Sequence, residues 1–194
     1  IKTIADHKHY AGAIRDHAFW GENARTRPPA QNNTSALGGG HAHCGLAIYN
    51  GNVFPEAYRG LLFFNNLHGH RIVTDRVEPY ASGYVGHHGA DFALAQDHTL
   101  IGVGVMVGPD GAMYMSDWRD PQTCHNRDEE IWDRTDGRIY RIRHGAVRSA
   151  SLDLESQPSS ELVGNLSSDN GFVARAARKI LQERAHGFKP HDFE

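Results

Sequence analysis

Several features are missing from this sequence, and each absence narrows what the chain can do. No run approaches the roughly 18 apolar residues that cross a bilayer, and the longest candidate is the short segment Ile101–Val107. Cysteine is scarce: Cys44 and Cys124 stand 80 residues apart without a CxxC partner. That spacing excludes a zinc ribbon or a thioredoxin-type motif and leaves a disulfide and two free thiols both open. The Cys124-His125 pair has Pro121 where covalent haem attachment needs a cysteine, so this segment attaches no haem. A dominant charge is missing too. Twenty Lys and Arg are scattered among 23 Asp and Glu, for a net charge of −3, and form no stripe. Nucleic acid is therefore not expected as a partner. GxSxG and P-loop motifs are absent, and the glycines of GGGHAHCG lead into a strand instead of opening a helix. No charged-then-apolar leader precedes Ile1, and the N-terminus reads as a cut with any signal peptide upstream.

What is present describes a globular piece, with 39% hydrophobic and 22% charged residues in a chain of 194. Setting Gly45 beside Gly102 exposes an internal repeat with an offset of 57 residues. Each copy reads strand, turn, strand, loop, strand: about Cys44–Tyr49, Gly60–Asn66 and His70–Val77, then Ile101–Val107, Ala112–Asp117 and Arg138–Arg143. A fourth strand falls in Tyr84–Leu94, Asp97–Leu100 links the copies, and Gly108-Pro-Asp-Gly111 is a strong turn in which Asp110 accepts local backbone N–H groups. Meanders at this spacing point to propeller blades, at about 38–96 and 97–148. A β-sandwich also shows short strands, but it does not usually repeat such a unit. Two blades do not close a ring, so the rest of the propeller is expected elsewhere in the protein.

After Ser149 the pattern turns helical. Pro158–Leu166 forms a short helix, and Asp169 caps a second whose apolar positions Phe172, Val173, Ala176, Ala177, Ile180 and Leu181 keep helical spacing up to Gly187. Arg175, Arg178, Lys179 and Arg184 read as its solvated face. The fold class is therefore mainly β, a partial propeller over 1–150 followed by a HEAT-like helical start over 151–194.

The outlier is histidine, at 14 residues. His41 and His43 precede the first inner strand, and His68 and His70 occupy the second-to-third-strand turn of that blade. Asp97 and His98 lead into the second inner strand, and the insertion Trp118–Asp136 fills the equivalent loop of its blade. All four groups should share one face. Residues two apart on an extended segment point the same way, so each HxH pair can offer two imidazoles to one ion. The alternative is that these rings hydrogen-bond loop carbonyls. His87 and His88 read as surface loop, and Asp133 with Arg134 as a staple for the insertion. Asp117 and Trp118 end a strand at the rim, where a structural cap and a ligand contact are both open.

The stretches GGGHAHCGLAIY, FPEAYRGLLFFNNLHGHRI, SGYVGHHGADF, GPDGAMYMSDW, TCHNRDEEIWDRTDGRIYRI and SSELV…ARKILQER, in this order, resemble the PVC-type membrane-bound dehydrogenase-like proteins. The resemblance covers nearly the whole chain. It implies an exported, periplasmic or extracellular propeller related to the quinoprotein glucose/sorbosone dehydrogenases, continued by HEAT repeats and a c-type cytochrome domain. The histidine and arginine motifs by which those relatives bind their cofactor have no counterpart in this sequence.

Two functions follow. In the first, an oxidoreductase oxidises sugars or alcohols, with His68, His70 and Arg71 catalytic and Asp117, Trp118 and His125 touching the cofactor. His41, His43, His68 and His70 would hold a metal. The cofactor would be a calcium, copper or zinc ion or pyrroloquinoline quinone. In the second, the same rim binds a glycan or a protein without catalysis.

Overall fold

The computed structural model describes residues 43–67, 70–95, 97, 99–121, 133, 135–146 and 152–187. The chain is mainly β, with two antiparallel sheets followed by two helices. Strands β1 (His43–Ile48), β2 (Leu62–Asn66), β3 (Arg71–Tyr80) and β4 (Gly83–Leu94) form the first sheet in chain order. Strands β5 (Gly102–Val107), β6 (Met113–Asp117) and β7 (Arg138–Ile142) form the second, again in chain order. No helix among the described residues is long and apolar enough to cross a membrane.

The first sheet is built by alternation. Phe63 and Asn65 of β2 are buried on one face, and their cross-strand partners Thr74 and Ile72 lie beside them. Phe92 of β4 meets the Phe63 ring edge-on at 4.9 Å between centroids. Strand β3 runs past the end of β2 and continues with β4 as a two-stranded ribbon out to Tyr80 and Tyr84. His87 and His88, expected in a surface loop, instead lie in β4 opposite Arg76 and Asp75. The alternation of GYVGHHGADF extends the strand through them, and the exposed His87 ring sits 3.4 Å from the Glu78 carboxylate.

The two sheets meet along β1 and β5. Gly45 adopts φ +64° where the β1–β2 register shifts, and a Cβ there would lie 2.4 Å from the Val103 carbonyl. Cys44 is a free thiol whose Sγ donates to the Gly102 carbonyl at 3.3 Å. Gly102 is equally confined, since a Cβ on it would strike Asn65 of the first sheet and Met115 of the second. The buried apolar residues include Phe63, Ile72 and Val73 from one sheet and Ile101, Val105 and Met115 from the other. Each such side chain, taken fully out of water, contributes about 1.5–3 kcal/mol.

The described chain divides into two compact units, the sheets over 43–48, 60–106 and 114–141, and a second over 49–59, 107–113 and 142–187. In the second unit, the buried Tyr49 hydroxyl donates to the Gly111 carbonyl at 3.0 Å. It also accepts from the N–H groups of Val53 at 3.0 Å and Phe54 at 2.9 Å. The GPDG turn forms as its residues dictate: Gly111 N–H donates to Gly108 at 3.0 Å, and Asp110 accepts from Ala112 N–H at 3.1 Å.

Helices α1 (Ser159–Asn165) and α2 (Gly171–His186) close over Leu154, Leu162, Val173 and Ala177. The cap of α2 is Asn170, not the expected Asp169. Its carbonyl oxygen accepts from Phe172 N–H at 3.0 Å while its amide donates to the Pro109 carbonyl at 2.7 Å. An aspartate cannot make that second bond, and Asp169 instead accepts from Asn52 at 2.9 Å. Gly187 ends α2 in the left-handed region at φ +69°. Arg184 does more than face solvent: it donates to the carbonyls of Gln157 and Glu155 and to the Ser159 hydroxyl.

Candidate functional site

Of the histidine constellation, His41, His68 and His125 lie outside the described residues, as do Cys124 and Arg134. His43 opens β1 with its ring exposed and edge-on to Phe64, 5.2 Å between centroids. His70 is in the interior at 1% exposure, with left-handed backbone at φ +50°. Its Nδ1 lies 2.7 Å from the Leu100 carbonyl, and its own carbonyl accepts from Ala95 N–H at 3.0 Å. A carbonyl can only accept, so Nδ1 carries the proton. His70 thus pins the β2–β3 turn to the segment that leads into β5. Arg71 is also interior: its side chain is 1% exposed and pairs with Asp91 of β4 at 2.9 Å. Among the described residues no three His, Cys, Asp or Glu side chains gather into a metal site.

The end of β6 carries the denser chemistry. Asp117 is buried, and its Oδ1 accepts from the N–H groups of Ile101 at 2.7 Å and Arg119 at 2.9 Å. Its Oδ2 receives Arg138, the first residue of β7, at 2.8 Å from Nε and 2.7 Å from Nη2. Arg138 also reaches Asp97 at 3.2 Å. Burial works to lower the basicity of Arg138, but Asp117 and then Asp97 outweigh it and leave its pKa raised. Burial likewise pushes Asp97 up, yet the Thr99 hydroxyl and N–H, with Arg138, hold its carboxyl below the usual range. Asp117 is therefore a structural knot between β5, β6 and β7, with both oxygens taken.

Trp118, the next residue, behaves differently. Its N–H donates to the Ile101 carbonyl at 2.9 Å, which ends the strand, and its side chain is 60% exposed. The indole Nε1 donates to the Asp120 carboxylate at 3.2 Å, which fixes the ring plane while leaving its face open. Beside it lies a hollow of about 490 Å³ lined by Trp118, Asp133, Thr135, Asp136 and Gly137. Arg119, with left-handed backbone at φ +50°, donates to Asp133 at 3.3 Å and to Asp136 at 2.9 Å. The Thr135 hydroxyl and N–H, then Arg119, hold the Asp133 carboxyl below the usual carboxylate range.

Asp133 was expected to staple the insertion through Arg134. The arginine it pairs with among the described residues is Arg119, at the other end of the insertion. Sequence reasoning passed over Arg119, Arg138, Thr135 and Asp136. One signal was available: Asp97-His-Thr99 and Asp133-Arg-Thr135 share a D-x-T spacing, and in both the aspartate accepts from the N–H and hydroxyl of the threonine two residues on.

A family model described as a domain of unknown function (DUF7133) matches residues 4–146. The chain belongs to this family. The DUF7133 match spans both sheets, including the Asp117 knot and the Trp118 hollow, and stops before α1. No curated protein matches the chain, and no solved structure does.

Proposed function

We propose that this chain is part of an exported β-propeller and that the hollow beside Trp118 binds a carbohydrate. The observation that carries the ligand reading is the Trp118 indole, mostly exposed but held in one orientation, beside two carboxylates whose charge Arg119 partly offsets. An exposed tryptophan with a fixed ring offers a flat apolar face to the C–H side of a sugar. The second oxygen of Asp136 and the remaining N–H groups of Arg119 suit the hydroxyls at its edge. The propeller reading is supported by two successive meanders at a 57-residue offset and by the backbone contact of their first strands at Gly45 and Val103.

Of the residues considered for a cofactor, His41, His68 and His125 lie outside the described residues, and the described ones make other contacts. Both oxygens of Asp117 are taken, Arg71 is committed to Asp91, and His70 to Leu100.

Oligosaccharides presented on an array and then titrated calorimetrically test the proposal. The wild-type chain should bind a subset of them. Trp118→Ala should weaken binding at least tenfold, about 1.4 kcal/mol, and Asp136→Asn should weaken it less, with both variants folded by circular dichroism. Absence of binding, or full binding by Trp118→Ala, would sink the proposal.

A further inference from the structure

The hollow beside Trp118 is unbalanced in charge. Asp133 and Asp136 line it and Asp120 holds its indole, against one guanidinium, that of Arg119. The adjoining knot repeats the imbalance, with Asp97 and Asp117 against Arg138. The sequence carries the same sign through the whole insertion: residues 117–138 hold seven Asp and Glu and four Arg, so this one segment accounts for the chain's entire net charge of −3. The rest of the chain is balanced. A concave site whose charges are mostly of one sign concentrates ligands of the other.

The indole, which places the ligand, adds to that field. Its face is the negative side of the ring quadrupole and attracts an ammonium within about 6 Å of the ring centre. Its Nε1–H donates to the Asp120 carboxylate, and an anion at the ring edge polarises the ring further toward a cation over its face. Asp120 is only 5% exposed, so solvent screens that charge weakly. Arg119 does not reverse the sign, because both of its contacts to the hollow, with Asp133 and Asp136, are already pairs with carboxylates. The Thr135 hydroxyl and N–H, then Arg119, hold the Asp133 carboxyl below the usual range, which keeps it ionised in mildly acid solution. Asp136 is the more exposed of the two acids and the one open to a ligand.

We propose that the ligand of this hollow is a basic carbohydrate, a sugar with a free amine: its ring stacks on the Trp118 indole and its ammonium, at the ring edge, pairs with Asp136. Neutral sugars bind more weakly, and sugar acids bind least. The inference rests on the carbohydrate reading of the hollow and names the substrate class within it. A cation–π contact and one half-exposed ion pair together suit a preference of about tenfold for the amine.

Calorimetric titration of the whole 194-residue chain with three tetramers, of glucosamine, of N-acetylglucosamine and of galacturonic acid, tests this at mildly acid pH, where the amine carries its proton. The two glucosamine forms differ only in whether the nitrogen is charged. The amine form should bind about tenfold tighter than the acetylated one, and galacturonic acid should bind least. Added salt should narrow the gap, because exposed charges are screened. Asp136→Asn, folded by circular dichroism, should weaken the amine form about fivefold and leave the acetylated form unchanged. Equal affinities for the two glucosamine forms, tighter binding of galacturonic acid, or a preference that Asp136→Asn leaves intact would overturn this inference and keep the carbohydrate site. Binding of none of the three would overturn both.

Discussion

Replacing Gly45 by alanine probes the closest approach between the sheets. The new Cβ would lie 2.4 Å from the Val103 carbonyl oxygen and 3.0 Å from both Gly104 Cα and Val105 N. All three are backbone atoms of β5, so no side chain can swing away. The position also has φ +64°, where an L side chain costs about 1–2 kcal/mol. Forced overpacking adds about 1–3 kcal/mol, and the stiffer unfolded chain returns about 0.4–1 kcal/mol. The net loss is about 1–5 kcal/mol. Gly60→Ala is the matched control: φ there is +82°, but nothing lies within 4 Å of the added methyl, so only the conformational cost of about 1 kcal/mol applies. Urea denaturation followed by circular dichroism reads both. Equal midpoints for the two variants would mean that β1 does not press on β5.

Other outcomes follow from the same geometry. Asp117→Ala leaves Arg138 without its main partner and the Ile101 and Arg119 N–H groups without an acceptor. It should cost about 3–5 kcal/mol in urea titration, and a loss below about 1 kcal/mol would place the knot in solvent. Burial raises the Cys44 thiol pKa, so iodoacetamide at neutral pH should label Cys44 more slowly in the folded chain than in urea; equally rapid labelling of the Cys44 peptide in both, read by mass spectrometry, would contradict its packing against Gly102. Asp97 and Asp133 both have lowered carboxyl pKa values. The stability they contribute is complete above the unfolded value of about 3.9 and is lost as pH falls through the lower folded values. Asp97→Asn should therefore flatten the acid limb of a melting-temperature profile, and an unchanged limb would argue against the Thr99 and Arg138 contacts.

The strands were legible because period-two alternation and the GPDG turn act locally. Every strand expected from the repeat is present within a few residues, and Gly187 ends α2 where the sequence placed it. What escaped depended on partners distant in sequence. Asn170 displaced Asp169 as the cap because only an amide also reaches Pro109, 61 residues away. His70 and Arg71 read as chemistry because they are polar and stand in a turn. Their burial against Leu100 and Asp91 is set by how the chain packs around them, which spacing does not encode. Trp118 was singled out for its position at a strand end, but the acids around it were legible only as a charged insertion. Their pairing with Arg119 depends on that residue's left-handed backbone, which turns the guanidinium toward Asp133 and Asp136.

A crystal structure of the chain with the tightest-binding oligosaccharide tests the central claim, that the Trp118 hollow is a carbohydrate site. One sugar ring should stack on the Trp118 indole, with hydroxyl groups within hydrogen-bond distance of Asp136 and Arg119. A sugar bound elsewhere on the chain, with the hollow empty, would contradict it.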